Sequence, residues 1–182
     1  MGAPIYGKDL IPGTGGMLDL DDFSPRSTPN EYMAAPADAC ARFTDDAKRE
    51  ASPIFPISVD ELQREFEAML RGRCAVPLYA RPTLSDVAMR QFVYVERTPL
   101  FRFPDILNVR FLRLGDESST LVLHSASVFG ASDLGKNEQR VKEMIKSLST
   151  LTDATMPVIL NATQPVANLA NATQTNATAA AV

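Results

Sequence analysis

Two apolar runs, Ile106–Leu114 ("ILNVRFLRL") and Thr120–Val128 ("TLVLHSASV"), are separated only by Gly115-Asp-Glu-Ser-Ser119. Both runs carry the branched and aromatic residues that suit a pleated surface, and a short polar link of this kind closes an antiparallel hairpin. The chain must therefore build a sheet around this pair. Two more candidate strands precede it, Ala75–Tyr79 and Val87–Glu96 ("VAMRQFVYVE"), with Thr98-Pro99 ending the second. The expected sheet is an antiparallel meander of about four strands.

Two helices are expected to cover it. Ser58-Val-Asp-Glu61 has the capping-box pattern, in which the Ser hydroxyl accepts from a free backbone N–H and the Glu reaches back. Val59, Leu62, Phe66, Met69 and Leu70 then recur on one face, and Gly72 supplies a left-handed stop. The second helix runs from near Leu134 or Asn137 to Leu148, with Leu134, Val141, Met144, Ile145 and Leu148 on one stripe. Laying both helices on one sheet face gives a two-layer α+β domain over residues 37–152.

The flanks differ in composition. Residues 1–36 carry five prolines and five glycines, a density that predicts an extended arm. Gly13-Thr-Gly-Gly16 follows no strand and precedes Leu-Asp-Leu-Asp-Asp22, which would repel an anion, so it reads as loop. Residues 153–182 form an Ala/Asn/Thr-rich tail with Asn-Ala-Thr triplets at 161, 171 and 176. The triplets fit the N-glycosylation rule, but composition alone explains them, since nothing in the sequence announces a secretory route.

Composition limits the function classes. The 182 residues are 45% hydrophobic, enough for one domain with a core, and 18 Lys and Arg against 22 Asp and Glu give a net charge of −4. With a pI near 5.0, no global field draws the chain to nucleic acid or anionic lipid. Cys40, Cys74 and His124 are the only Cys and His residues, so no four-ligand zinc site of those types can form, and no cofactor or metal is expected. A Cys40–Cys74 disulfide is left open, because sequence separation says nothing about Cα distance. No apolar run approaches the roughly 18 residues of a membrane span, and no targeting segment is legible.

The stretch Gly130-Ala-Ser-Asp-Leu-Gly-Lys-Asn137 comes close to a nucleotide-binding P-loop. Such a loop needs Ser or Thr after the lysine to ligate magnesium, and Asn137 has no hydroxyl. The alternative is a strand-to-helix corner: Gly130 breaks the strand, Ser132 or Asp133 caps the helix, Gly135 permits close packing and Asn137 bonds back to the loop. "RQFVYVER" (Arg90–Arg97) echoes an RNA-recognition strand but lacks its glycines, so Phe92 and Tyr94 are expected in the sheet or core. His124 and Ser125 are strand neighbours that point to opposite faces, so His124, Ser125 and Ser127 with Asp105 or Asp133 do not make a hydrolase triad.

"ERTPLFRFPDILNVRF" and "LHSASVFGASDLGKNEQRVKEM" resemble an uncharacterised family, domain of unknown function 1499, found in bacteria and some chloroplasts. The likeness joins Phe103-Pro-Asp105 to Ser127, Gly130, Ser132-Asp-Leu-Gly135, Asn137 and Arg140, with Thr28-Pro-Asn30-Glu-Tyr32 upstream, and spans about residues 28–149. Val128 stands where the family usually places arginine, and Ile106 replaces a frequent second aspartate, which thins an ionic cluster. The resemblance implies no catalytic residue, cofactor or substrate. Many relatives carry an amino-terminal anchor or signal that is not visible here.

Two functional expectations follow. The first is a non-enzymatic accessory protein, a peripheral subunit or assembly factor of a larger complex, membrane complexes included, that contacts protein partners through its arms. Ile5, Tyr6, Leu10, Ile11, Ile159 and Leu160 are the candidate contacts, since the arms cannot bury them alone. Its location would be peripheral to a membrane through partners, with a soluble cytoplasmic protein as the alternative. The second is a small-molecule site or enzyme at the Phe101–Asp105 loop and the Gly130–Asn137 corner, with Arg102, Asp105, Asp133 and Asn137 as its polar groups.

Overall fold

The computed structural model describes residues 18–73, 84–97, 104–130 and 132–153. Strand β1 (Glu31–Ala35) leads through a 3-10 turn (Asp46–Lys48) into β2 (Arg49–Ala51). Helix α1 (Val59–Arg73) follows, then β3 (Leu84–Asp86), β4 (Gln91–Arg97), β5 (Pro104–Gly115), β6 (Ser118–Ser127) and α2 (Lys136–Thr152). The strands form one mixed six-stranded sheet in the order β2-β1-β6-β5-β4-β3. β3 to β6 are an antiparallel meander, β1 pairs antiparallel with β6, and β2 pairs parallel with β1.

The fold is α+β, but the sheet exceeds the expected four strands and is not purely antiparallel. The two extra strands escape notice for physical reasons. β1 is Glu-Tyr-Met-Ala-Ala between Pro29 and Pro36, and all five residues are buried, so no polar alternation marks it. β2 is three residues long and begins Arg-Glu. The expected amino-terminal arm therefore holds a strand paired along the hairpin, and Leu18 and Leu20 are buried as well. The folded unit begins by residue 18, not at 37. The earlier part of the arm, the carboxy-terminal tail and the expected strand at 75–79 lie outside the described residues.

Local expectations fare unevenly. Ser58 Oγ accepts from the Glu61 N–H at 3.3 Å, and Val59, Leu62, Phe66 and Leu70 are buried as the spacing predicts. Gly72 does not stop α1, which continues to Arg73. The expected strand from Val87 is broken: Val87–Arg90 turn between β3 and β4, with Met89 N–H on Asp86 Oδ1 and Arg90 at φ 49°. Apolar Val87 and Met89 look strand-like in sequence, yet both are exposed. Helix α2 runs four residues past Leu148, and Leu134 lies outside its apolar stripe.

Alternation sorts the sheet into two faces. Leu107, Val109, Phe111, Leu121, Leu123, Phe92 and Tyr94 pack beneath α1 and α2, so both helices do cover one face. On the other face, Met33, Val93, Val95, Ile106 and Val122 meet Leu18, Leu20, Cys40 and Phe43. This second cover is coil held by polar anchors. Gln91 Nε2 donates to Leu18 O at 2.6 Å, and Arg110 joins Gln91 to Asp21. The Arg49 guanidinium donates to the carbonyls of Pro36, Ala39, Phe43 and Cys40 at 2.6, 2.7, 3.1 and 3.2 Å. These side-chain bonds pin the coil to the sheet, through the carbonyls of Leu18, Pro36, Ala39, Cys40 and Phe43 and through Asp21.

Candidate functional site: the β6–α2 corner

At the end of β6, Ser125 and Ser127 face the helix layer, and the chain must reverse within a few residues to enter α2. Gly130 and Gly135 adopt φ of 90° and 76°, where a Cβ is costly, and Leu134 between them is also left-handed at 55°. A Cβ on Gly135 would meet nothing within 4 Å. Its backbone angle, not the close packing expected from sequence, calls for glycine.

Asp133 closes the loop. Its Oδ1 accepts from the Gly135 N–H at 3.0 Å and its Oδ2 from the Asn137 N–H at 2.7 Å. An anion held on helix N-terminal amides would need these same donors, so the position of a phosphate is filled by the chain's own carboxylate. Lys136 is exposed, while Asn137 turns inward, its Nδ2 near Asn30 O at 2.9 Å and Ser127 Oγ at 3.0 Å. The near-match to a P-loop is a corner.

Arg140, one turn on from Asn137, is the hub. Its Nε bonds Glu96, Nη2 donates to Asp105 Oδ2 at 2.6 Å, and Nη1 reaches Asn137 Oδ1 at 2.7 Å and Ser125 Oγ at 3.0 Å. Ser125 Oγ in turn donates to Asn137 Oδ1. Asn30 ties in the upstream motif: its Nδ2 donates to Gly130 O at 2.8 Å, its Oδ1 accepts from Thr28 and its carbonyl from the Ser127 N–H at 2.9 Å. Val128 N–H bonds Pro104 O, so β5 begins beside this corner. Asp105, Asn137, Arg140, Ser125 and Asn30 are all buried.

Of the four candidate ligands, the structure links three: Asp133 to Asn137 directly, and Asp105 to Asn137 through Arg140. Arg102 lies outside the described residues, as do the six proposed arm contacts and Cys74. Glu96 and Ser125 complete the network without having been candidate ligands. The legible signal was the i,i+3 spacing of Asn137 and Arg140, which puts an amide and a guanidinium on one helix face.

The corner matches a known pattern. A family model described as a protein of unknown function (DUF1499) matches residues 24–148. The chain belongs to the DUF1499 family. That span runs from Ser24, ahead of the Asn30 motif, through Leu148 of α2, and so contains the whole network. No curated protein and no solved structure shows significant similarity to the chain.

Other groups of this DUF1499 domain stand apart from the corner. His124 is on the opposite face, its Nε2 3.2 Å from Glu31 Oε2, and cannot serve Ser125. Phe92 and Tyr94 pack in the aromatic cluster with Phe66 and Phe111, which removes their rings from any base. Cys40 is a buried free thiol pushed up to about 11 by desolvation. A hollow of about 550 Å³ opens at the sheet edge, lined by Ala35, Phe43, Thr44, Asp46, Arg49 and Glu50 among others. Among the described residues, no group of three His, Cys, Asp or Glu side chains is placed to hold a metal ion, and no helix is long and apolar enough to cross a membrane.

Proposed function

We propose that this DUF1499 protein is a non-enzymatic accessory protein, a peripheral subunit or assembly factor of a larger complex, that works by contacting protein partners. The observation that carries the reading is the consumption of the corner's polar groups by one another. Arg140, Asn137 and Asp133 bond within the chain, which supports a brace and leaves few donors for a ligand. The same corner presents Phe129 at 60% and Leu134 at 90% exposure, apolar side chains of the kind that contacts use.

The segments before 18 and after 153 carry the apolar residues Ile5, Tyr6, Leu10, Ile11, Ile159 and Leu160, and in this reading they extend the contact surface. The ligand-site alternative at Asp105, Asp133, Asn137 and Arg102 draws less support, since the hollow of about 550 Å³ at the β2 edge is lined by none of these residues.

The test is affinity purification from the native source with three baits: the full chain, the chain trimmed to 18–153, and Leu134→Asp. The full chain should recover a large complex that the trimmed form or the Leu134 variant loses. Recovery of the same complex by all three would remove both the arms and the corner from the account.

A further inference from the structure

His124 is 2% exposed, with Nε2 on Glu31 and Nδ1 buried without a partner. Directly opposite it in the β5–β6 register is Asn108, and Asn108 Oδ1 is also buried without a partner. Opposed residues of an antiparallel pair project from the same face. The ring is thus placed between a carboxylate on β1 and an unused amide oxygen on β5. A neutral imidazole has one N–H to offer, whereas an imidazolium has two.

Glu31 is shared with the coil that covers this face. The Arg26 backbone N–H donates to Glu31 Oε1, and the Arg26 Nε stands 3.7 Å from Oε2. Phe23, from the same coil, meets the His124 ring edge-on at 4.8 Å between centroids. A proton on His124 would set a second cation beside Arg26 on a single carboxylate. Other anchors do not involve Glu31: Gln91 on Leu18 O and Arg110 on Asp21 hold the part before Phe23, while Lys48 Nζ on Arg26 O at 2.6 Å and Arg26 Nη1 on Ser127 O at 2.8 Å tether the far end, so the movement is confined to the coil between these tethers.

We propose that His124 is a proton-operated latch for the Phe23–Arg26 coil: a solvent proton taken up at Nδ1 lets the ring engage both Glu31 and Asn108, Arg26 gives up the carboxylate, and Phe23 lifts away from the sheet. Burial pushes the imidazole below its ordinary value, and the contact with Glu31 opposes that shift, so the latch works on the acid side of neutrality. The other charged groups around it are Arg110 on β5, paired with Asp21, and Lys48 and Arg49, which hold backbone carbonyls. Cys40 stays neutral there, its thiol at about 11. Opening would expose Phe23 and Phe43, adding acid-dependent apolar surface.

The chain has one histidine, so its imidazole gives a unique NMR signal. The full chain is titrated from about pH 8 to about pH 4.5 while amide hydrogen exchange is followed along the sequence. Protection around Phe23–Arg26 should fall about tenfold at the midpoint of the imidazole titration, with β5 and β6 still protected. His124→Gln should abolish the step. Asn108→Asp, which places an anion opposite Nδ1, should move the imidazole and exchange midpoints together to higher pH; if His124→Gln fails to fold, this paired shift decides. Ring titration without opening, the same step in His124→Gln, or simultaneous loss across all strands would overturn the latch. The readout is on the free chain, so its result stands apart from that of the partner test.

Discussion

Arg140 of α2 holds Asp105 of β5 at 2.6 Å while its Nε bonds Glu96 of β4, so one guanidinium spans two strands from the second turn of a helix. Glu96 and Asp105 are directly opposed in the β4–β5 register, which places two like charges side by side on one face. Such a pair is unfavourable alone. The guanidinium offsets it, and Asn137 and Ser125 satisfy the remaining donor. The corner is a charge-balanced joint between sheet and helix.

Removing one member of this joint should cost far more than an exposed pair would. Asp105 and Arg140 are both buried, and stranding a buried charge costs on the order of 3–5 kcal/mol. Arg140→Met is expected to lower the urea midpoint by a corresponding amount. The double variant Arg140→Met with Asp105→Asn should lose less than the sum of the single losses, since both act on one network. Additive losses would show that the two residues do not act together.

The left-handed corner offers a separate test. Gly135→Val should destabilise by about 1 kcal/mol or more because of its positive φ, whereas exposed Lys136→Ala should change little. Leu134→Gly relieves a left-handed leucine that buries nothing, so stability should hold or rise by up to about 1 kcal/mol. Urea midpoints measure all three. Calorimetry with magnesium and ATP or GTP should show no binding, because Asp133 already occupies the helix N-terminal amides.

Much of this joint was readable from residue types and spacing, and what was hidden was hidden for reasons of length and burial. The β5–β6 hairpin and both helices follow from periodicities many residues long. β1 lacks alternation because both its faces are buried, β2 is too short to show any, and the β3–β4 turn is disguised by Val87 and Met89. At the corner, local motif chemistry revealed Asp133 and Asn137. Glu96 joins them only through strand register, 44 residues from Arg140, and Asn30, marked in the sequence only by its motif, meets Asn137 across 107 residues.

Arg49 is expected to be irreplaceable by lysine. Four carbonyls receive its planar fork, and an ammonium on a flexible stem cannot serve them at once. Arg49→Lys should loosen the coil over Pro36–Phe43 and speed the reaction of Cys40 with a thiol reagent, measured in a Cys74→Ser background. In the parent chain Cys40 should react slowly, being buried with its thiol raised to about 11. Equal rates with and without the substitution would show that Arg49 does not hold this cover closed.

Glu50 should make the fold less stable as pH rises, opposite to the usual carboxylate. Its pKa is raised by burial first, with Lys142 opposing and Glu138 adding, and its Oε1 is buried without a partner. Between the ordinary value near 4.5 and the raised folded value, the folded chain binds more protons than the unfolded chain. Stability from this group is then complete below the ordinary value and is lost as pH rises through the folded one. His124 has the opposite sign: its folded value lies below 6.5, so its contribution is complete above 6.5 and falls as the pH drops toward that lower value. Glu50→Gln should therefore gain stability at neutral pH relative to the parent and lose that advantage in acid, while His124→Gln should flatten the decline on the acid side of 6.5. Urea midpoints across the pH range read both effects. A constant gap between Glu50→Gln and the parent would place the Glu50 carboxyl in water rather than against the sheet.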